Sequence, residues 1–162
     1  MTSASEPGPL APPAAHPWPP ILLAAIVAAA VAASYLAPLS WPGQDDPMAH
    51  VAGLSLGAAG LALMAWAAWT LKRHGTAIRP DAAADVLVTD GPYRFRRNPI
   101  YLAHALILLG LAEITHIIWF VILAAVYIPL VTWLAVLPEE RHLEARFGDA
   151  YRGYKAQTRR WI

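Results

Sequence analysis

Ile100-Tyr-Leu-Ala-His-Ala-Leu-Ile-Leu-Leu-Gly-Leu-Ala112 is the stretch on which the fold turns. It is short for the roughly 20 helical residues that cross a hydrocarbon core, yet too apolar for a water-exposed helix. Its polar flanks reconcile the two: Arg97 and Asn98 can sit at one membrane interface, while Glu113, Thr115 and His116 turn the chain at the other. The segment then becomes the first arm of a helical hairpin, with the apolar run 114–137 as the second. Upstream, runs 21–39 and 48–71 are each of spanning length. The expected fold is all-α: a polytopic membrane protein of about four transmembrane helices, the last two forming a hairpin.

Composition agrees. Of 162 residues, 57% are hydrophobic and 14% charged, a balance too apolar for a soluble domain of this size. The absence of cysteine rules out disulfides, thiolate metal sites and a cysteine nucleophile. Residues 1–17, rich in Pro and Ala, read as a disordered N-terminal tail, since such residues bury too little surface to offset ordering entropy. That leader has no Lys or Arg, so the following helix is expected to be retained rather than cleaved as a signal. Residues 18–162 are expected to form a single membrane domain.

All twelve Lys and Arg residues fall in two segments, from Lys72 to Arg97 and from Arg141 to Arg160. The positive-inside tendency places both segments, and with them both termini, in the cytosol of a cell or inner membrane. Trp18, Trp41, Trp119, Trp133 and Trp161 lie near helix boundaries, as interfacial anchors do. Basic residues that follow topology, without interleaved stacking groups, speak against nucleic acid. In the second helix Gly53 and Gly57 have the Gly-x-x-x-Gly spacing, which suits close packing within the chain or a homodimer.

Charge and aromatics concentrate in two motifs flanking the hairpin: Gly91-Pro-Tyr-Arg-Phe-Arg-Arg-Asn-Pro-Ile-Tyr101 and Glu139-Glu-Arg-His-Leu-Glu-Ala-Arg-Phe-Gly-Asp-Ala-Tyr151. Between Lys72 and Asn98 the chain is rich in turn signals such as Arg79-Pro80, and residues 86–89 are expected as a short extended piece. Asn98 before Pro99 reads as an N-cap and first helical turn. Asn98, Tyr101 and His104, each three residues apart, share one helix face, where polar groups at membrane depth need partners. Glu139 and Glu140 stand where the last helix leaves the bilayer. Leu143 and Phe147 give the following segment the apolar stripe of a cytosolic amphipathic helix. His142 and Glu144 lie close in sequence, but no recognisable ligand spacing points to a metal. No Gly-x-Gly-x-x-Gly is present, so a Rossmann cofactor site is not indicated.

From Lys72 onward these motifs, in order and spacing, resemble the integral-membrane methyltransferases that include isoprenylcysteine carboxyl methyltransferase and the phospholipid N-methyltransferases. Asn98 stands where the carboxyl methyltransferases have His, and Gln157 where they have Arg; the Asn-Pro-x-Tyr form looks more like the phospholipid branch. The resemblance implies S-adenosylmethionine as cofactor, held by residues 72–162. It implies a first pocket wall of Arg97, Asn98, Pro99 and Tyr101, a second of Glu139 and Glu140, and Tyr151 and Tyr154 as closing residues.

Methyl transfer is an in-line displacement in which positioning dominates. Arg97 could bind an oxyanion of cofactor or acceptor, a glutamate the cofactor's ammonium, and His104 or a glutamate the proton of an amine acceptor. Arg97, Glu140 and His104 are thus the catalytic candidates, and the acceptor is expected to be a lipid or small apolar molecule. The alternative is a non-catalytic membrane scaffold or small-molecule binder of the same architecture.

Overall fold

The computed structural model describes residues 18–42, 46–76 and 86–161. The expected disordered tail 1–17, the Arg79-Pro80 turn and the side chain of Trp18 lie outside the described residues. The helices are α1 (Trp18–Leu36), α2 (Pro47–Arg73), α3 (Pro99–Thr115), α4 (Trp119–Val131), α5 (Leu137–Phe147) and α6 (Asp149–Gln157). A 3-10 turn, Gly91–Arg94, precedes α3, and a π-helical turn, Thr132–Val136, joins α4 to α5. No strand occurs among the described residues, and the piece expected at 86–89 is irregular and unpaired.

Local chemistry explains where the helices begin. Asp46 caps α2, its Oδ1 accepting from the amides of Met48 at 2.9 Å and Ala49 at 3.4 Å, with Pro47 in the first turn. Pro99 starts α3 in the same way. Asn98, expected to cap that helix, makes no side-chain cap; its Nδ2 donates to the carbonyl of Arg160 at 3.1 Å. A tertiary partner has outcompeted the local one.

Among the described residues, three helical stretches are long and apolar enough to cross a membrane: Pro19–Leu36, Pro47–Arg73 and Trp119–Phe147. α3 has 17 residues, about 25 Å of helix at 1.5 Å per residue. It meets α4 in the expected hairpin, turned at His116 in the left-handed conformation (φ 55°). Two expectations change. Glu113 belongs to α3 and is buried, rather than forming the turn. The second arm begins at Trp119 and runs on past residue 137, because the π-turn carries the helix through Pro138 to Phe147. Pro138 has no amide for the carbonyl of Leu134 and its ring crowds that carbonyl; a wider turn just before it relieves both problems.

α2 lies along α3, α1 packs on α4, and α3 on α4. The α2–α3 approach depends on small residues. A Cβ on Gly57 would stand 2.9 Å from the Cα of Gly110, and one on Gly60 2.9 Å from the amide of Ile107. The Gly53/Gly57 face is thereby taken up within the chain. The core centres on Leu108, Phe120, Tyr127, Val131 and Val136. Leu54, Leu61, Trp69 and Trp133 remain exposed, as lipid-facing side chains do. Among the expected anchors, Trp119 donates from Nε1 to the carbonyl of Ala37 at 2.8 Å, and Trp161 packs against the core.

Candidate active site

Three pieces of chain converge at the N-terminal end of α3: the segment Arg96–Asn98, the first turn of α5, and the C-terminal residues 158–161. Glu140 is the knot. Its Oε1 accepts from Arg97 Nε at 3.3 Å and Arg160 Nε at 2.9 Å, and its Oε2 from Arg160 Nη2 at 2.7 Å. The side chains of Arg97 and Glu140 are only 9% and 7% exposed. Burial of such charges is tolerable because their remaining hydrogen-bonding capacity is used: Arg97 Nη1 donates to the carbonyls of Lys155, at 3.2 Å, and Thr158. The amide of Arg97 donates to the carbonyl of Arg159 at 3.0 Å, so the tail is laced to the start of α3 by backbone as well as side chain.

Glu139, one residue earlier, points to different company. Its Oε2 accepts from the Tyr101 hydroxyl at 3.0 Å, and it forms no ion pair among the described residues. Two adjacent carboxylates thus divide: one is neutralised by two arginines, the other is partly buried beside a phenol with no cation of its own.

One turn deeper along α3, the buried His104 meets Tyr127 of α4, Nδ1 to hydroxyl, at 2.6 Å. The ring centroids of Tyr101 and His104 are 6.3 Å apart, so these two stand side by side as expected, while Asn98 bonds to the tail instead. Pro99 and Asn98 are buried at its mouth. Tyr151, 1% exposed, packs beside Tyr154 with ring centroids 6.1 Å apart, and the Tyr154 hydroxyl ties α6 to the 3-10 turn by donating to the carbonyl of Tyr93 at 2.7 Å. Burial pushes the Tyr154 hydroxyl up to about 12. The Tyr93 and Tyr151 hydroxyls rise further, first through burial and then through the charges of Glu139 and Glu140 respectively. All three phenols therefore keep their protons at neutral pH.

Every expected site residue lies in this region, but in unequal roles. Arg97, Glu140 and Asn98 anchor the tail, Glu139 and Tyr101 stand together, and His104 sits a turn inward. Arg160, Thr158, Tyr93 and Tyr127 were not singled out from sequence. A tyrosine inside an apolar membrane helix is a signal that could have marked Tyr127; the signal for Arg160 was its place, with Arg159, just past Gln157, where the carboxyl methyltransferases have Arg. Beside Glu140 a groove of about 400 Å³ opens, lined by Trp133, Arg141, Glu144, Lys155 and Arg160.

A model of the phospholipid methyltransferase family matches residues 48–150. Across 37 residues, 23% of this chain, it is 40% identical to an uncharacterised protein of Haemophilus influenzae. That alignment spans 59% of the relative's length, under two thirds of it. No solved structure matches. The family match takes in α2, the α3–α4 hairpin and α5, including Arg97, Tyr101, His104, Glu139 and Glu140, and covers well over half of the sequence. With its spanning helices and this match, the chain is an integral-membrane protein that belongs to the phospholipid methyltransferase family.

Proposed function

We propose that this chain transfers a methyl group from S-adenosylmethionine to a lipophilic acceptor at the cytosolic membrane boundary. The observation that carries the reading is the unequal partnering of the two glutamates. Glu140 has its cations; among the described residues Glu139 has only the Tyr101 hydroxyl, and a half-buried carboxylate without a counter-charge is a ready partner for an ammonium group. The residues fit the cofactor's other parts. Arginines at the same end of the bundle, Arg97 and Arg160, suit its carboxylate, and Trp133 and Leu137 give the adjoining groove an apolar wall for a base.

When bound, S-adenosylmethionine supplies an electrophilic methyl carbon and leaves as a neutral thioether. The chain's part is to position and to exclude water. Held near-attack geometry is worth up to about 7–11 kcal/mol of a barrier, and a tail tied to Arg97 and Asn98 supplies a fixed wall. An amine acceptor of the phosphatidylethanolamine kind must attack as the neutral base. His104, a turn further into the bundle and hydrogen-bonded to Tyr127, or a glutamate would take its proton. A carboxylate acceptor is already ionised at neutral pH and needs no such base, whereas a thiol or phenol must, like the amine, give up a proton.

Both basic segments flank this end of the bundle, which supports a cytosolic site where a polar cofactor and a bilayer-borne acceptor meet. Calorimetric titration of the purified protein with S-adenosylmethionine and S-adenosylhomocysteine tests the reading. Binding is expected, weakened at least tenfold in Glu139→Gln; a protein that binds neither compound at millimolar concentration is not this enzyme, and a scaffold becomes the better account. Mass spectrometry of lipid extracts after feeding methyl-labelled methionine, with and without the protein, identifies the acceptor.

A further inference from the structure

At the far end of α3, about 25 Å along its axis from Arg97, three side chains bearing metal-ligand atoms come together. Nδ1 of His50, in the first turn of α2, lies 2.9 Å from Oε1 of Glu113, in the last turn of α3. His116 follows on the hairpin turn, and the ligand atoms of all three lie within 4.8 Å of one another.

Several features hold this group in place. Glu113 is 5% exposed, and its side chain occupies the space above Gly53, where a Cβ would come within 2.7 Å of its Cβ and Cγ. Any larger residue at position 53 would displace the carboxylate. Among the described residues, His116 is the one non-glycine with positive φ, the left-handed conformation that ends α3 and turns the hairpin. Beside it stands Trp41, ring centroids 6.1 Å apart, whose buried Nε1 has no hydrogen-bond acceptor among the described residues.

We propose that His50, Glu113 and His116 bind a divalent transition-metal ion, zinc foremost, at the membrane face opposite the methyl-transfer site. Two imidazoles and one carboxylate form a donor set that favours zinc, nickel or copper over magnesium or calcium. In tetrahedral zinc sites with bonds of about 2.0–2.1 Å, ligand atoms are roughly 3.4 Å apart. The exposed rings of His50 and His116 are free to swing in by the ångström this requires, while the buried Glu113 stays fixed. A fourth position remains for water or a small anion, which would give the Trp41 N–H its acceptor. A plain His50–Glu113 ion pair explains two of the three residues; it accounts neither for the ligand atom of His116 beside them nor for the orphaned indole. The ion would tie the start of α2 to the hairpin turn, too far from Arg97 to act on the methyl group.

The test uses full-length protein without a polyhistidine tag, in lipid nanodiscs, titrated with zinc against a chromophoric chelator and with cobalt(II) by visible absorption. One zinc per chain and cobalt d–d bands are expected. His116→Gly removes a ligand and suits the left-handed turn, so the variant should fold and unfold no less cooperatively, yet bind zinc at least tenfold more weakly. Glu113→Gln should lose binding as well, whereas His142→Ala should retain it. Zinc should raise the melting temperature of the wild type but not of His116→Gly. No zinc uptake by the wild type, or wild-type affinity in a folded His116→Gly, would overturn the proposal, as would loss of binding in His142→Ala alone.

Discussion

Adjacent residues on a helix point about 100° apart, and at Glu139 and Glu140 that angle separates two kinds of chemistry. Glu140 turns toward Arg97 and Arg160, Glu139 toward Tyr101. Their substitutions should therefore diverge. Glu140→Ala leaves two arginines facing each other, one of them buried, and should cost about 3–5 kcal/mol of stability, as breaking a buried ion pair does; thermal unfolding in detergent measures it. Glu139→Gln keeps the shape and the Tyr101 contact, so the melting temperature should hold while cofactor affinity falls. If the two variants behaved alike, the division of roles drawn here would be wrong. Arg160→Ala removes the bidentate contact from the tail side, and limited proteolysis should then release the C-terminal segment while α3 and α4 stay protected.

At the level of elements, two junctions set the register of the site. α2 and α3 meet through Gly57 and Gly110, where a Cβ on Gly110 would lie 2.5 Å from the Cα of Gly57. Gly57→Val should splay the pair and lower stability by about 1–3 kcal/mol, the usual cost of overpacking, again read by thermal unfolding. The second junction is the π-turn Thr132–Val136. Its extra residue rotates everything after it by about 100° relative to a continuous α-helix. Pro138→Ala removes the reason for the wider turn. If the segment relaxes to α-helix, Glu139 and Glu140 leave their partners, methyl transfer should fall at least tenfold, and the melting temperature should fall too because the buried Arg97 loses its counter-charge. Full activity in Pro138→Ala would show that the proline does not set the register.

Across the whole molecule, the Arg97–Glu140 end and the His50–Glu113–His116 end lie at opposite termini of α3. The chain has no cysteine, so single introduced cysteines report orientation without background. Gly153→Cys, on α6 where an added Cβ meets nothing within 4 Å, should react with an impermeant maleimide only from the cytosolic side. Leu39→Cys, in the α1–α2 connection, should react only from the other. The reverse pattern would invert the proposed topology and move the site out of reach of a cytosolic cofactor.

Much of this architecture follows from properties written locally along the chain. Apolar length marks the spanning helices, polar flanks turn the short run 100–112 into a hairpin arm, and charge asymmetry groups the basic segments, because each depends on residues within a helix length of one another. The two motifs around the hairpin likewise pointed to one end of the bundle. Tertiary structure alone decided the partners. Asn98 gave up its cap for the carbonyl of Arg160, 62 residues away, and Arg160 reached back 20 residues to Glu140. The glycines of α2 took α3 as their neighbour, and His50 found Glu113 across 63 residues. Such pairings depend on how far one helix is slid and rotated against another. That is set by the interlocking of Gly57 with Gly110 and by the π-turn before Pro138, not by any local preference of the residues that finally meet.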